Sequence, residues 1–257
     1  MRLASWNVNS LKVRLPQLMD WLGAARPDVI CVQETKLEDG KFPRAELAAG
    51  AGDYRAVFSG QKTYNGVAIL ARAEPAEIAT GIPGFDDEQK RVIAATLNGV
   101  RVVCLYAPNG QAVGSDKYQY KLRWFAALER WLAAERARYP KMALLGDFNV
   151  APEDRDVHDP KAWEGQVHVS EPERAAWRAL LALGFKDSFR LFEQPERTYS
   201  WWDYRMMGFR RNAGLRIDHI LLSEELARAC TAASIDKAPR KLERPSDHAP
   251  VLAELAL

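Results

Sequence analysis

The chain has 257 residues, of which 47% are apolar and 27% charged, and its formal net charge is only +2. This composition supports a sizeable hydrophobic core and excludes both a disordered chain and a small disulfide-stabilised domain. No stretch approaches the ~18 consecutive apolar residues of a membrane span, and the first residues become polar too early for a secretory signal, so we expect a cytoplasmic protein without a membrane partner.

Short apolar runs rich in β-branched residues predict buried strands, in chain order, at residues 3–6, 28–32, 66–70, 100–105, 142–145 and 216–222. Apolar residues spaced three and four apart predict helices from Pro16 to before Pro27, at about 117–138 and at about 171–183. Turn sequences such as Asn98-Gly99 indicate antiparallel hairpins. We therefore predict an α/β fold with two packed mixed β-sheets flanked by helices, in a single domain over residues 1–257 because no linker divides the chain.

The three cysteines, Cys31, Cys104 and Cys230, each lie among apolar neighbours, without a second Cys or a His at metal-ligand spacing. An odd number also argues against a disulfide framework. We expect three buried free thiols.

Polar side chains recur where the predicted strands end or begin, and these are Asn7, Asn9, Glu34, Tyr106, Asn109, Asp147, Asn149, Asp218, Asp247 and His248. If the sheets bring these positions together, carboxylates would bind a hard divalent ion, while amides and an imidazole would hold phosphate oxygens. In such a site Asp147 could activate a water, and Asp218 could fix the tautomer of His248. The set predicts metal-assisted phosphoryl chemistry without a serine or cysteine nucleophile.

In order along the chain, the motifs that carry these residues resemble those of the exonuclease III family of the endonuclease/exonuclease/phosphatase superfamily. They are Trp6-Asn7-Val8-Asn9, Val32-Gln33-Glu34-Thr35-Lys36, Tyr64-Asn65-Gly66-Val67-Ala68, Tyr106-Ala107-Pro108-Asn109-Gly110, Gly146-Asp147-Phe148-Asn149, Arg216-Ile217-Asp218-His219 and Pro245-Ser246-Asp247-His248. The resemblance implies a four-layer α/β sandwich and a DNA repair phosphodiesterase that uses Mg²⁺, with Mn²⁺ as a substitute.

The resemblance also implies roles for single residues. Glu34 would be the main metal carboxylate, with Asn7, Asn9 and Asp247 near the ion. The catalytic residues would be Asp147, His248, Asp218, Tyr106 and Asn149, and the substrate contacts would include Asn109, Trp202 and Leu215. Asn9 stands where some relatives carry Asp, which leaves one charge fewer for the metal.

Residues 197–216 contain five arginines, five aromatic residues and one acid. Cations interleaved with rings suit double-stranded DNA with a displaced nucleotide better than a small phosphoester. Further candidates for contact with the DNA backbone are Lys121 and Arg216, together with Lys36, Arg72, Arg91 and Lys117. We expect a monomer that acts on abasic sites or 3′ ends; the alternatives are an inactive DNA-binding protein of this fold and a phosphatase for a small phosphoester.

His168 ends a segment, residues 156–168, that is predicted to be a loop. One hypothesis is that this bulky side chain overhangs the pocket, restricts cleavage at internal abasic sites and biases the enzyme toward 3′ ends. The alternative is an ordinary surface histidine.

Overall fold

Two six-stranded β-sheets form the centre of the computed structural model, which describes residues 1–50 and 53–257. In chain order the strands are β1 (Arg2–Asn7), β2 (Val29–Gln33), β3 (Arg55–Ser59), β4 (Val67–Ala71), β5 (Ala76–Thr80), β6 (Val92–Leu97), β7 (Val100–Tyr106), β8 (Met142–Asp147), β9 (Phe185–Asp187), β10 (Trp201–Trp202), β11 (Gly214–Leu215), β12 (Asp218–Ser223), β13 (Cys230–Ile235) and β14 (Val251–Leu255). The α-helices are α1 (Leu11–Ala25), α2 (Arg44–Gly50), α3 (Asp116–Arg138), α4 (Pro160–Trp163), α5 (Glu171–Ala182) and α6 (Glu224–Ala229).

Each large sheet is mixed. The first has the strand order β13-β14-β1-β2-β4-β3 and the second β5-β6-β7-β8-β12-β9, while β10 and β11 form a separate ribbon. β1 and β2 are parallel, as are β7 and β8, and the other described pairs are antiparallel. Because parallel strands end at the same edge of a sheet, these two pairs deliver their carboxyl ends to one end of the molecule.

Three apolar clusters separate four layers. One lies between the sheets and includes Leu3, Cys31, Cys104 and Leu145. A second packs α1 and α2 on the outer face of the first sheet, and a third packs α3 and α5 on the outer face of the second. On α3, buried Trp124 and Leu128 are four residues apart and share one helix face. The α/β class and the four-layer sandwich are confirmed.

Two local predictions are wrong. α1 begins at Leu11 rather than at Pro16, and Pro16 lies inside it; burial of Leu11 along the same face as Leu18 offsets the one helical hydrogen bond that proline cannot make. Residues 156–168 are not a plain loop, because they contain α4, where the side chain of Asp159 accepts the N–H of Ala162 at 3.1 Å.

Other local predictions agree with the structure more closely. Asn98 and Gly99, with φ of 49° and 78°, form the two-residue turn of the β6–β7 hairpin. Cys31 and Cys104 are buried free thiols, but Cys230 is only half-buried, which corrects the expectation for that residue. No helix in the described parts of the chain is long and apolar enough to cross a bilayer.

Candidate active site

The amide of Asn7 joins the two sheets at the end where the parallel strands finish. Its Nδ2 donates to Glu34 Oε1 at 2.9 Å and to Asp147 Oδ2 at 2.9 Å. Asn7 is the last residue of β1, and Glu34 directly follows β2; both strands belong to the first sheet. Asp147 is the last residue of β8 in the second sheet. The strand ends that the sequence predicted to converge therefore meet in one place.

Asp147 lies between two other predicted catalytic residues in the second sheet. It is in register with Tyr106 on β7 and with Asp218 on β12. His248 places Nδ1 2.9 Å from Asp218 Oδ2 and Nε2 3.8 Å from Asp147 Oδ2. Because an ionised carboxylate only accepts hydrogen bonds, Nδ1 carries a proton and the ring is held in one orientation.

Ser200 is a member of this group that the sequence analysis missed. Its Oγ donates to Asp218 Oδ2 at 2.7 Å and accepts the backbone N–H of Asp218 at 3.0 Å. The hydroxyl therefore holds the carboxylate that orients His248. The sequence feature that could have pointed to Ser200 is its position next to Trp201 in the aromatic segment, residues 197–216.

The buried charges of the site shift each other's protonation. Burial, with the charge of Asp218, raises the pKa of Asp147 to about 7. Burial alone would lower the pKa of His248, but the charges of Asp218, Asp147 and Asp247 outweigh it and raise the pKa to about 10. Burial and the nearby charge of Glu34 raise the pKa of the Tyr106 phenol, which keeps it a neutral donor.

The donor set fits a hard divalent cation. Ligand atoms of Glu34, Asp147 and His248 lie within 4.8 Å of one another. Four carboxylates lie in this group, those of Glu34, Asp147, Asp218 and Asp247, and the cations in direct contact with them include His248 and Lys36, whose Nζ lies 2.9 Å from Glu34 Oε2. Carboxylate oxygens with excess negative charge are what Mg²⁺ and similar ions bind.

The neighbouring residues predicted as metal ligands are oriented differently. The side-chain oxygen of Asn7 accepts the N–H of Asn9 at 2.9 Å, and Asn9 in turn donates from Nδ2 to Asp247 Oδ1 at 2.9 Å. The oxygen of Asn9 accepts from Lys36 Nζ at 2.5 Å. An aspartate at position 9 would place a like charge against Asp247, whereas Asn9 donates a hydrogen bond to that carboxylate. In this arrangement Asn7, Asn9 and Asp247 surround the candidate metal centre rather than aim oxygens into it.

The two tryptophans of β10 lie on opposite faces, and Trp201, rather than the predicted Trp202, borders the site. Trp202 is 0% exposed and packs on Phe209, whereas Trp201 is partly exposed and donates from Nε1 to Asp247 Oδ2 at 3.0 Å. Alternation along a strand sends neighbouring side chains to opposite faces. Trp201 therefore borders the site, and the expected substrate contact of Trp202 is corrected; Leu215 is also fully buried, in a cluster that Trp201 packs against.

Burial also corrects the expected DNA contacts of Lys121 and Arg216. Lys121 is fully buried and paired with Glu173, and Arg216 is 1% exposed with Asp156 and Asp187 as its partners. His168 is buried as well, neither overhanging the surface nor an ordinary surface residue; its Nδ1 lies 2.7 Å from the carbonyl oxygen of Asn149.

The other cations divide between the site and the surface. Arg91 is largely buried, and its guanidinium packs over the ring of Tyr106, 4.7 Å from the ring centre. Lys36 borders the metal carboxylate, as described above. Lys117 and Arg72 are exposed.

A cleft of about 770 Å³ extends from the site on the side of Tyr106 and Asn109. Its lining includes Lys117, Arg91 and the ring of Tyr64, which is exposed. Beyond Trp201, a loop carries the exposed large side chains of Tyr204, Met206 and Met207. The site is thus flanked by surface that suits an extended ligand.

The sequence pattern of the Endonuclease/Exonuclease/phosphatase family matches residues 4–248. Exodeoxyribonuclease III from Haemophilus influenzae is 38% identical over 267 residues, which cover 99% of each chain. The solved structure of the 3′ phosphatase NExo from Neisseria, bound to a product DNA hairpin, is 48% identical with a TM-score of 0.98 over 100% of both chains. An AP endonuclease from Archaeoglobus fulgidus is 39% identical with a TM-score of 0.96, again over 100% of both chains. The chain belongs to the endonuclease/exonuclease/phosphatase family and, within it, to the exonuclease III group that its motifs resemble.

Proposed function

We propose that the protein is a Mg²⁺-dependent DNA phosphodiesterase of DNA repair that leaves a 3′-hydroxyl. It acts as a 3′-5′ exodeoxyribonuclease, as an AP endonuclease that incises 5′ to abasic sites, or as both. The observation that carries this proposal is the buried Asp147, which lies within reach of both Glu34 and His248. Full-length relatives named as exodeoxyribonuclease III and as AP endonuclease support it.

The reaction is hydrolysis of a phosphodiester: the water oxygen bonds to phosphorus, the bond from phosphorus to the 3′ oxygen breaks, and that oxygen takes up a proton to give the 3′-hydroxyl. Asp147 takes a proton from the attacking water, and a pKa near 7 suits a base at neutral pH. His248, held by Asp218, donates from Nε2 to a non-bridging phosphate oxygen, and the amide of Asn149 and the phenol of Tyr106 hold the same group. A divalent ion bound at Glu34 supplies Lewis-acid stabilisation of the phosphate charge.

The surfaces on both sides of the site support a duplex as the substrate. The cleft beside Tyr106 offers cations and amides for the backbone, and the exposed loop with Met206 and Met207 offers apolar side chains that can enter a groove. A small phosphoester would need neither. We also propose that the chain acts as a single domain, as a monomer and in the cytoplasm.

The metal requirement is tested by chelation. Cleavage of a labelled duplex should disappear in EDTA and return with Mg²⁺, and with Mn²⁺ as a substitute. Full activity in EDTA would contradict the proposal. Separate duplexes with an internal abasic analogue, a recessed 3′ end or a 3′-phosphate, treated with one enzyme preparation, would rank the three activities.

The role of His168 in choosing among these substrates stays a prediction. Because His168 is enclosed rather than overhanging the pocket, any such bias would act through its contacts with Asn149 and Asn109, and His168→Gly should then raise cleavage at an internal abasic site relative to trimming of a 3′ end. An unchanged ratio of the two rates would reject the hypothesis. The buried contacts of His168 suggest a different role, described below.

A further inference from the structure

Lys121 is a buried charge that the proposed chemistry does not use. It projects from α3 beneath the site and is fully enclosed, where burial lowers its pKa although Glu173 opposes the shift. A buried ammonium is strongly destabilising unless it is paired with an opposite charge and hydrogen-bonded. Its ion-pair partner Glu173, on α5, is equally buried.

The remaining two hydrogen bonds of Lys121 go to main-chain carbonyls at the site. Nζ donates to the carbonyl oxygen of Asn109 at 3.1 Å and to that of Asn149 at 2.7 Å. These residues follow β7 and β8; the amide of Asn149 takes part in the proposed reaction, and that of Asn109 is a predicted substrate contact in the adjoining cleft. A single ammonium therefore ties together the two segments that present the amides.

Asn149 needs such support because its backbone is strained. Its φ of 53° lies in the left-handed region, which costs energy for a residue other than glycine. Its carbonyl oxygen accepts a second hydrogen bond, from Nδ1 of His168 at 2.7 Å. Two donors on one carbonyl hold the peptide in the orientation that the turn requires.

The same contacts orient Asn109. Because a carbonyl can only accept, Nδ1 of His168 carries the proton, and in the neutral ring Nε2 is then an acceptor. Burial, with the charge of Lys121, lowers the pKa of His168 to about 3, so the ring is neutral at ordinary pH. Nε2 lies 3.4 Å from Nδ2 of Asn109, which turns the amide nitrogen toward the histidine.

We propose that Lys121, charge-balanced by Glu173 and assisted by His168, is a positioning residue that clamps Asn109 and Asn149 at the spacing needed to hold the scissile phosphate. The proposal rests on the proposed function. It assigns to Lys121 a role that is neither contact with DNA, since the side chain is enclosed, nor stability alone.

A second buried ion pair on the same helix provides the contrast. Arg101 pairs with Glu135 of α3 at 3.1 Å, and both side chains are buried. The guanidinium of Arg101 also donates to the carbonyl oxygen of Glu77 on β5 and to Oγ1 of Thr96 on β6. Arg101 itself is near the start of β7, away from the end of that strand that carries Tyr106. This pair serves stability without touching the residues of the site.

The test compares the two pairs with both charges removed from each. Lys121→Met with Glu173→Gln should lower kcat for duplex cleavage about 10- to 100-fold and change KM less than about threefold, because misplacement of groups that hold the phosphate acts on the reaction step. Arg101→Met with Glu135→Gln should destabilise the protein comparably but leave kcat within about twofold. Unchanged kcat in the Lys121 variant, or an equal fall in both, would overturn the proposal.

A double-mutant cycle separates positioning from general loosening. In a background that carries both Asn109→Ala and Asn149→Ala, single-turnover cleavage should lose little more when the Lys121 pair is also removed, because both amides that the clamp positions are gone. Additive losses would contradict positioning. If the paired variant does not fold, His168→Phe keeps the ring volume and the ion pair intact, and it should lower kcat about threefold or more with KM nearly unchanged; full kcat would count against the clamp.

Failure of the two proposals can be told apart. If the unaltered protein, supplied with Mg²⁺, cleaves none of the labelled duplexes, the proposed function is wrong and so is the proposed role of Lys121. If the unaltered protein cleaves and the Lys121 pair variant keeps full kcat, only the clamp is wrong.

Discussion

The two ends of the sandwich both carry a cavity and charged side chains, yet only one is built for chemistry. At the amino ends of β1, β2 and β7, a cavity of about 870 Å³ is lined by residues that include Asp28 and Arg72. Their ion pair is 3.6 Å long, and the side chains are 39% and 42% exposed. At the other end, His248 and Asp218 are 2.9 Å apart and almost fully enclosed.

The difference shows that burial of charge, rather than cavity size or the presence of charge, marks the active end. Exposed ion pairs are screened by water and contribute about 0–1 kcal/mol each. Carboxylates that are buried beside one another are costly, so they persist only where partners or an ion compensate them. The larger cavity lies at the end that lacks such a cluster among the described residues.

The sharpest test of this comparison is Asp147→Asn. The amide keeps the shape of the side chain but cannot take a proton from water, so cleavage should fall about 10³–10⁴-fold. Stability should be unchanged or higher, because a buried carboxylate is removed. Kinetics and urea unfolding of the purified variant would check both. Retained cleavage would favour the alternative of a DNA-binding protein that has lost catalysis.

A smaller loss is expected for Asp218→Asn. The substitution keeps an acceptor for His248 but removes the charge that stabilises its imidazolium, and we expect a fall of roughly 10²–10³-fold in kcat. DNA affinity, measured by fluorescence anisotropy in Ca²⁺, should change little. A loss of affinity as large as the loss of kcat would show that Asp218 serves binding instead.

We expect the free energy of unfolding to fall in acid because two buried histidines resist protonation in the native protein. Burial lowers the pKa of His168 to about 3 and that of His219 to about 4, so below the unfolded value near 6.5 the unfolded chain binds more protons than the native protein. The contribution of these two histidines is therefore fully present above pH 6.5 and falls as the pH drops toward 4, by roughly 1.4 kcal/mol per pH unit for each histidine. Asp147 partly offsets this fall, because its raised pKa makes the native protein bind an extra proton in the same range. Urea unfolding from pH 7 to 4.5 measures the slope, and His168→Gln should reduce it; an unaltered slope would exclude His168 as a contributor.

The weakest effect is expected at the opposite end. Arg72→Gln removes an exposed ion pair and should change the free energy of unfolding by less than about 1 kcal/mol and cleavage by less than about twofold. The measurements are the same urea unfolding and duplex cleavage assays. A large loss of cleavage would mean that this cavity takes part in function.

Much of the site could be predicted from the sequence because it depends on local pattern. Apolar runs identified the strands, and polar residues at their ends identified Glu34, Asp147 and His248 as one group. Prediction failed where the outcome depends on which face of an element is covered. Trp201 and Trp202 are neighbours of the same chemical type, and only the packing of Phe209 against Trp202 decides which one borders Asp247.

The sequence by itself determined the fold class, the family and the candidate carboxylates of the site, since these follow from periodicity and from motifs whose residues are close along the chain. Only the tertiary structure decided that Lys121, Arg216 and His168 are enclosed. A cation looks the same in sequence whether it meets solvent or a carboxylate, and Lys121 meets its partner Glu173 at a sequence separation of 52. Burial and pairing of charge are properties of segments distant in sequence, so they appear only once the chain has folded.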